Sequence, residues 1–198
     1  MKHLPRLTAL MIGLAPATAL AQVQAYYHAG AWDAISGRSE TGGAVCGIST
    51  SAASNMQHFS IRFDIGGTDT TFSSSKPDWL IPDSTHVTVV MQVGLNVPWT
   101  LQATGHGHAI DWTLDPNAIQ VFDRQFRGAA SMTLTFPDGN EPPWVLSLTG
   151  STAISDTFGR CVRDLTRQVQ ENPPPAAGAR APQGATQPFS TSEPPPAR

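Results

Sequence analysis

The sequence predicts a mainly β fold: an antiparallel β-sandwich or open barrel carrying two short α-helices, over about 115–127 and 152–166. Three observations predict it. Apolar residues alternate with polar ones through most of the middle of the chain, the two-residue period of half-buried strands. Clusters of Gly, Pro, Asp and Ser punctuate these runs at short intervals. Only two segments switch to the helical period.

The elements follow in chain order. Strands are expected at "GAWDAIS", "GAVCGIS", "QHFSIRFDI" and "TTFSS", each short, β-branched or aromatic, and bounded by turn residues. "HVTVVMQVG" is the clearest case, with Val87, Val89, Met91 and Val93 on one face and His86, Thr88, Val90 and Gln92 on the other. "WTLQAT" and "IDWTL" come next. In "DPNAIQVFDRQFRG", Asp115 is a natural N-cap, Pro116 suits the first helical position, and Ile119, Phe122 and Phe126 form an apolar stripe that Gly128 ends. Asp123 and Arg127 stand at i,i+4 with the acid first, a favourable order. "SMTLTF" and "WVLSLTG" then alternate across "PDGNEPP", a hairpin with a long loop. The last element, "STAISDTFGRCVRDL", is read as a helix capped by Ser151. Its apolar stripe includes Ile154, Phe158, Cys161 and Leu165, and Asp156 and Arg160 repeat the i,i+4 pairing.

The two ends differ from this middle. Residues 1–21 have a basic start, an apolar run from Leu7 to Leu14 and an Ala-Leu-Ala end, the pattern of a cleaved signal peptide rather than a membrane span. Residues 172–198 carry two Pro-Pro-Pro runs and one aromatic, Phe189, and read as a disordered or polyproline-II tail serving as spacer or tether. One globular domain over 25–168 lies between them. Removing Lys2 and Arg6 with the leader takes the formal charge from −3 to −5 and leaves Lys76 as the last lysine. Such a chain has no basic footprint for nucleic acid and no expected transmembrane segment. The expected location is periplasmic or secreted.

Cys46 and Cys161 are the only cysteines. In an oxidising compartment a lone, widely separated pair reads as a structural disulfide, worth roughly 4 kcal/mol by loop closure. Two free thiols, one of them reactive, are the alternative.

The order of segments resembles, remotely, the invasion-associated locus B family of exported alphaproteobacterial proteins. The resemblance rests on "GAWDAISG" before "VCGIST", on "WLIPDSTHVTVVMQV", on the helix before "MTLTFPDG", and on "WVLSLTGSTAISDTFGRCV". The family's common form carries a central cysteine pair, whereas this chain has no cysteine between Cys46 and Cys161. The resemblance implies a β-rich periplasmic or secreted protein linked to envelope function and, in some pathogens, to host-cell entry, and it transfers no catalytic residue.

Candidate chemistry is sparse. "LQATGHGHAID" offers His106 and His108, with His86, His58 or Asp111 as further metal ligands, but a zinc site needs three or four ligands that the spacing does not assemble. The glycines argue instead that the strand stops before Gly105 and a hairpin loop begins. Ser73 to Lys76 matches Ser-x-x-Lys formally, in a loop setting that lacks the required helix start. Trp79 and Trp99 are candidates for a ligand surface, as exposed indoles stack on sugars, while Trp112 and Trp144 share the parity of core neighbours. Arg160, Arg163 and Arg167 form a basic stripe, a solvated face or a partner contact. The leading expectation is an exported non-enzymatic binding protein without a cofactor, acting on a protein or envelope component. A small periplasmic enzyme, metal-dependent or acting on cell wall, and a carbohydrate-binding module are the alternatives.

Overall fold

The computed structural model describes residues 23–39, 42–52 and 56–172. Residues 1–21, expected to be a signal peptide, and the expected tail from 173 onward lie outside the described residues. Among the described residues ten strands form one antiparallel sheet: β1 (Val23–Ala29), β2 (Trp32–Arg38), β3 (Ala44–Ala52), β4 (Gln57–Asp64), β5 (Thr70–Ser75), β6 (Ile81–Val93), β7 (Trp99–Gly107), β8 (Ala109–Leu114), β9 (Ser131–Thr135) and β10 (Trp144–Ser147). Their order across the sheet is β1-β2-β3-β4-β5-β8-β7-β6-β9-β10. The sheet curls into a half-barrel, which is the open-barrel form of the expected class. The first five strands form a meander, because each is followed by a connection short enough to turn back beside it. Then β8, not β6, pairs with β5, so the long β6–β7 hairpin lies outboard.

Two helices, α1 (Pro116–Gly128) and α2 (Ser151–Glu171), pack against the inner face. α1 starts as its sequence dictates: the Asp115 carboxylate accepts from the backbone N–H groups of Asn117 and Ala118, and Pro116 follows. Its stripe delivers Phe122 and Phe126 to the core, where Phe126 meets Trp32 edge-on at 4.9 Å and Phe122 meets Phe72 at 5.0 Å. Phe72 in turn stacks on Trp112 at 5.7 Å. Edge-to-face and offset ring pairs of this kind stabilise beyond the area they bury.

α2 departs from expectation at both ends. Its N-cap is Gly150, in the left-handed region at φ 89°, and Ser151 is a buried first-turn residue that caps nothing. The helix runs on to Glu171 because nothing in "TRQVQE" stops it before Asn172 and Pro173. Cys161 reaches from α2 to Cys46 of β3, and the disulfide is formed, closing 115 residues of sequence. Such a bond is characteristic of chains that fold in an oxidising compartment. No described helix is long and apolar enough to cross a membrane.

Asp156 does not pair with Arg160. It binds Arg127 of α1 at 2.6 Å, and Arg127 also holds Asp123 at 2.7 Å, so one guanidinium ties the two helices together. Arg160 donates instead to the Thr157 hydroxyl at 2.8 Å.

The two edges of the sheet almost meet at one corner. The Gly30–Ala31 turn between β1 and β2 lies against Thr149–Gly150 after β10. Ala31 N–H donates to the Thr149 carbonyl at 3.0 Å, and Trp32 Nε1–H donates to the Ser147 carbonyl at 2.9 Å. Gly30 (φ 63°) and Gly150 face each other so closely that a Cβ on either would strike the other segment's carbonyl.

Candidate functional site

A cavity of about 390 Å³ lies where the β9–β10 loop leaves the sheet. The register explains the opening. β9 pairs with β6 only from Val90 to Val93, so the first half of β6 has no partner strand on that side. The loop from Phe136 to Pro143 takes the place of a strand there and is anchored to that edge by Asp138, whose carboxylate accepts from the Thr88 N–H at 2.7 Å. A bulge between Ile81 and Thr85, with Ser84 at φ 65° and the Thr85 hydroxyl donating to the Pro82 carbonyl at 2.6 Å, then re-aims the start of β6 over the opening.

The walls are apolar: Trp79, Ile81, Val87, Ile110 and Phe136. Leu80 stands at the rim, 86% exposed, and His86 and Asn140 complete it. Ile81 can lie across β7 because residue 105 is glycine, as a Cβ there would run into the Ile81 methyl. Trp79 stacks on the fully buried Trp144 at 5.2 Å and meets Phe136 edge-on at 5.6 Å.

Glu141 sits beneath this aromatic cluster and accepts three hydrogen bonds: Trp144 Nε1–H at 2.8 Å, Trp79 Nε1–H at 3.2 Å and Lys76 Nζ at 3.2 Å. Burial opposes its ionisation, but these donors and the lysine's charge outweigh it and hold the carboxyl below the ordinary glutamate value. Asp138 is also held low, chiefly by the hydrogen bond from the Thr88 N–H. Lys76 divides itself between Glu141 and Asp78, each at 3.2 Å.

The His-Gly-His motif braces this wall. β7 runs through Gly105 and His106 to Gly107, contrary to the expectation that the strand stops before Gly105, because that glycine is needed beneath Ile81. Gly107 (φ 58°) and His108 alone make the turn into β8, the two-residue glycine-first hairpin. The two imidazoles then part. His106 Nε2 meets Asp111 at 2.8 Å, whereas His108 Nδ1–H donates to the Trp79 carbonyl at 2.6 Å. His108 also offers its carbonyl to the Lys76 N–H at 3.1 Å, so this turn holds the Lys76–Leu80 segment at two points. His86 sits on β6 opposite Thr104, and His58 on β4 opposite Ser75. Among the described residues no group of three His, Cys, Asp or Glu side chains converges.

The other candidates are scattered. Ser73 lies in β5, not a loop, at the register position opposite Asp111, and the His106 imidazole is paired with that aspartate. A nucleophile–base order would instead set the imidazole against the serine. Trp99 lies at the opposite end of β7 from the cavity, half-buried, with Nε1–H donating to Gln125 of α1 at 2.9 Å. Arg160, Arg163 and Arg167 are exposed on α2, and Arg167 pairs with Asp164 at 3.0 Å. Of the tryptophans proposed as ligand surface, only Trp79 lines the cavity. Glu141, Asp138 and the pairing of Lys76 went unread in the sequence. Their one signal was an acidic residue followed by Pro-Pro-Trp in a loop that must return a buried indole to the core. Compared with protein-family models, curated proteins and solved structures, the chain matches none.

Proposed function

We propose that this chain is an exported, non-enzymatic binding protein, periplasmic or secreted, and that the cavity beside the free edge of β6 is its seat for a ligand or envelope partner. The observation that carries the reading is the cavity's construction. Its walls are apolar and its volume is that of a small-ligand pocket, while Glu141 at its base is held by Trp144, Trp79 and Lys76. An apolar wall with Leu80 exposed at its rim suits recognition. The resemblance to invasion-associated locus B proteins and the disulfide point towards the envelope or the cell surface.

The test is a photo-crosslinking residue at Leu80, compared with one at Arg62, exposed on β4 away from the cavity. Expressed in an exporting bacterium, the Leu80 probe is expected to give discrete adducts that the Arg62 probe does not. Identical adduct patterns from both positions, or none from Leu80, would remove the reading.

A further inference from the structure

We propose that this cavity selects a cation carried on an apolar stem, a guanidinium or alkylammonium whose aliphatic part lies along Trp79, Val87 and Phe136 and whose head meets Asp138. The proposal rests on the binding reading above and names the ligand chemistry of the same site. Both charged groups lining the cavity are carboxylates, and no lysine or arginine lines it. The nearest cation, Lys76, is already shared between Glu141 and Asp78. An anionic ligand therefore meets the Asp138 carboxylate, whose hydrogen-bond partner is the neutral Thr88 N–H rather than a cation. A neutral apolar ligand leaves that carboxylate without return. A bare metal ion finds two carboxylates occupied by N–H donors in an apolar wall, without the oxygen shell it requires. An organic cation satisfies both halves, since its stem buries against apolar surface and its head gains charge contact and the negative faces of aromatic rings.

Two sources carry this chemistry: a free amine, or a basic side chain of an extended polypeptide. Three probes with one six-carbon stem separate charge from shape: hexylammonium, hexanol and hexanoate. They are titrated into the intact oxidised protein at neutral pH, followed by calorimetry and by the indole N–H resonance of Trp79. Hexylammonium is expected to bind about tenfold more tightly than hexanol, with hexanoate weakest, as expected for one partly exposed charge contact plus a cation–π contact. Asp138→Asn keeps an oxygen for the Thr88 N–H, so it is expected to remove most of that preference while leaving hexanol unchanged. A proline-flanked arginine peptide and its citrulline counterpart form the second arm. A preference for the arginine peptide over both citrulline and hexylammonium assigns the ligand to a polypeptide, and binding of the free amine alone assigns it to a small molecule. Equal binding of all three stems overturns charge selection and leaves the pocket reading standing. No binding by any probe, with the Trp79 resonance unmoved, overturns both.

Discussion

Replacing Gly150 by alanine tests the corner at which the two edges of the sheet meet. Gly150 has φ 89°, a region that costs an L-residue about 1–2 kcal/mol by itself. The added Cβ would also fall on the Ala29 carbonyl and 2.9 Å from the Gly30 nitrogen, both backbone atoms that no rotamer change can move. Relief requires the Gly30–Ala31 turn to separate from Thr149–Gly150. That breaks the Ala31 N–H to Thr149 bond, and it loosens the Trp32 indole bond to Ser147, leaving a buried donor unpaired. With about 1 kcal/mol for the first and 1–3 kcal/mol for the second, the total is roughly 4 kcal/mol. That is a large fraction of the ~5–15 kcal/mol that holds a domain of this size. The assay is urea and thermal unfolding of the oxidised protein, where the melting temperature should fall by roughly 8–16 °C. Gly66→Ala supplies the control, because Gly66 has φ 95° but nothing within 4 Å of an added Cβ. It should cost only the backbone strain, about 1–2 kcal/mol. If Gly150→Ala is no worse than Gly66→Ala, the corner closes nothing.

Three further outcomes follow from the same structure. Reducing the Cys46–Cys161 bond, or replacing both cysteines by serine, should lower stability by about 4–5 kcal/mol by loop closure over 115 residues, read as the oxidised-minus-reduced difference in urea. Glu141→Ala should cost about 1–3 kcal/mol by leaving the Trp144 donor buried and unpaired, and it should shift tryptophan emission. Because the folded Glu141 carboxyl lies below its ordinary value of 4.5, its contribution is complete above that pH and is lost as pH falls through the folded value; Glu141→Gln should flatten this acid limb of stability against pH. Arg127→Met should lower the melting temperature by only about 2–4 °C, since its ion pairs with Asp123 and Asp156 are partly exposed, and 1 M salt should erase most of the difference.

What the sequence shows directly is whatever depends on near neighbours. The alternation in "HVTVVMQV" puts Val89, Met91 and Val93 inside, and the Asp115-Pro116 start of α1 needs only the next two residues to act as a cap. The disulfide was legible because a lone, widely separated cysteine pair has few other uses. Strand order was not, because the β5–β8 pairing joins Thr70 to Leu114 and no local pattern records it. β6 is longer than its alternation suggests, since it continues back through a bulge that takes in Pro82 and Asp83 at the free edge. β1 precedes the first clear signal, as a mostly exposed edge strand lacks alternation. The cavity is the least legible part. Lys76, Trp79, Asp138 and Glu141 come from two separate connections, and their convergence follows from the sheet's curl. Asp156 illustrates the same limit on a smaller scale, where a tertiary partner displaced the helical one.

The corner at Gly30 and Gly150 also sets a schedule. A polypeptide emerges from its N-terminus, so β1 and β2 are available long before their contacts at Ser147 and Thr149, and before Cys161 can reach Cys46. During that interval the first hairpin waits with Tyr26 and Tyr27 open to solvent and an edge free for any strand that passes. The last helix to appear is the one that packs on the first hairpin and carries Cys161, so the fold is completed only when nearly the whole chain is present.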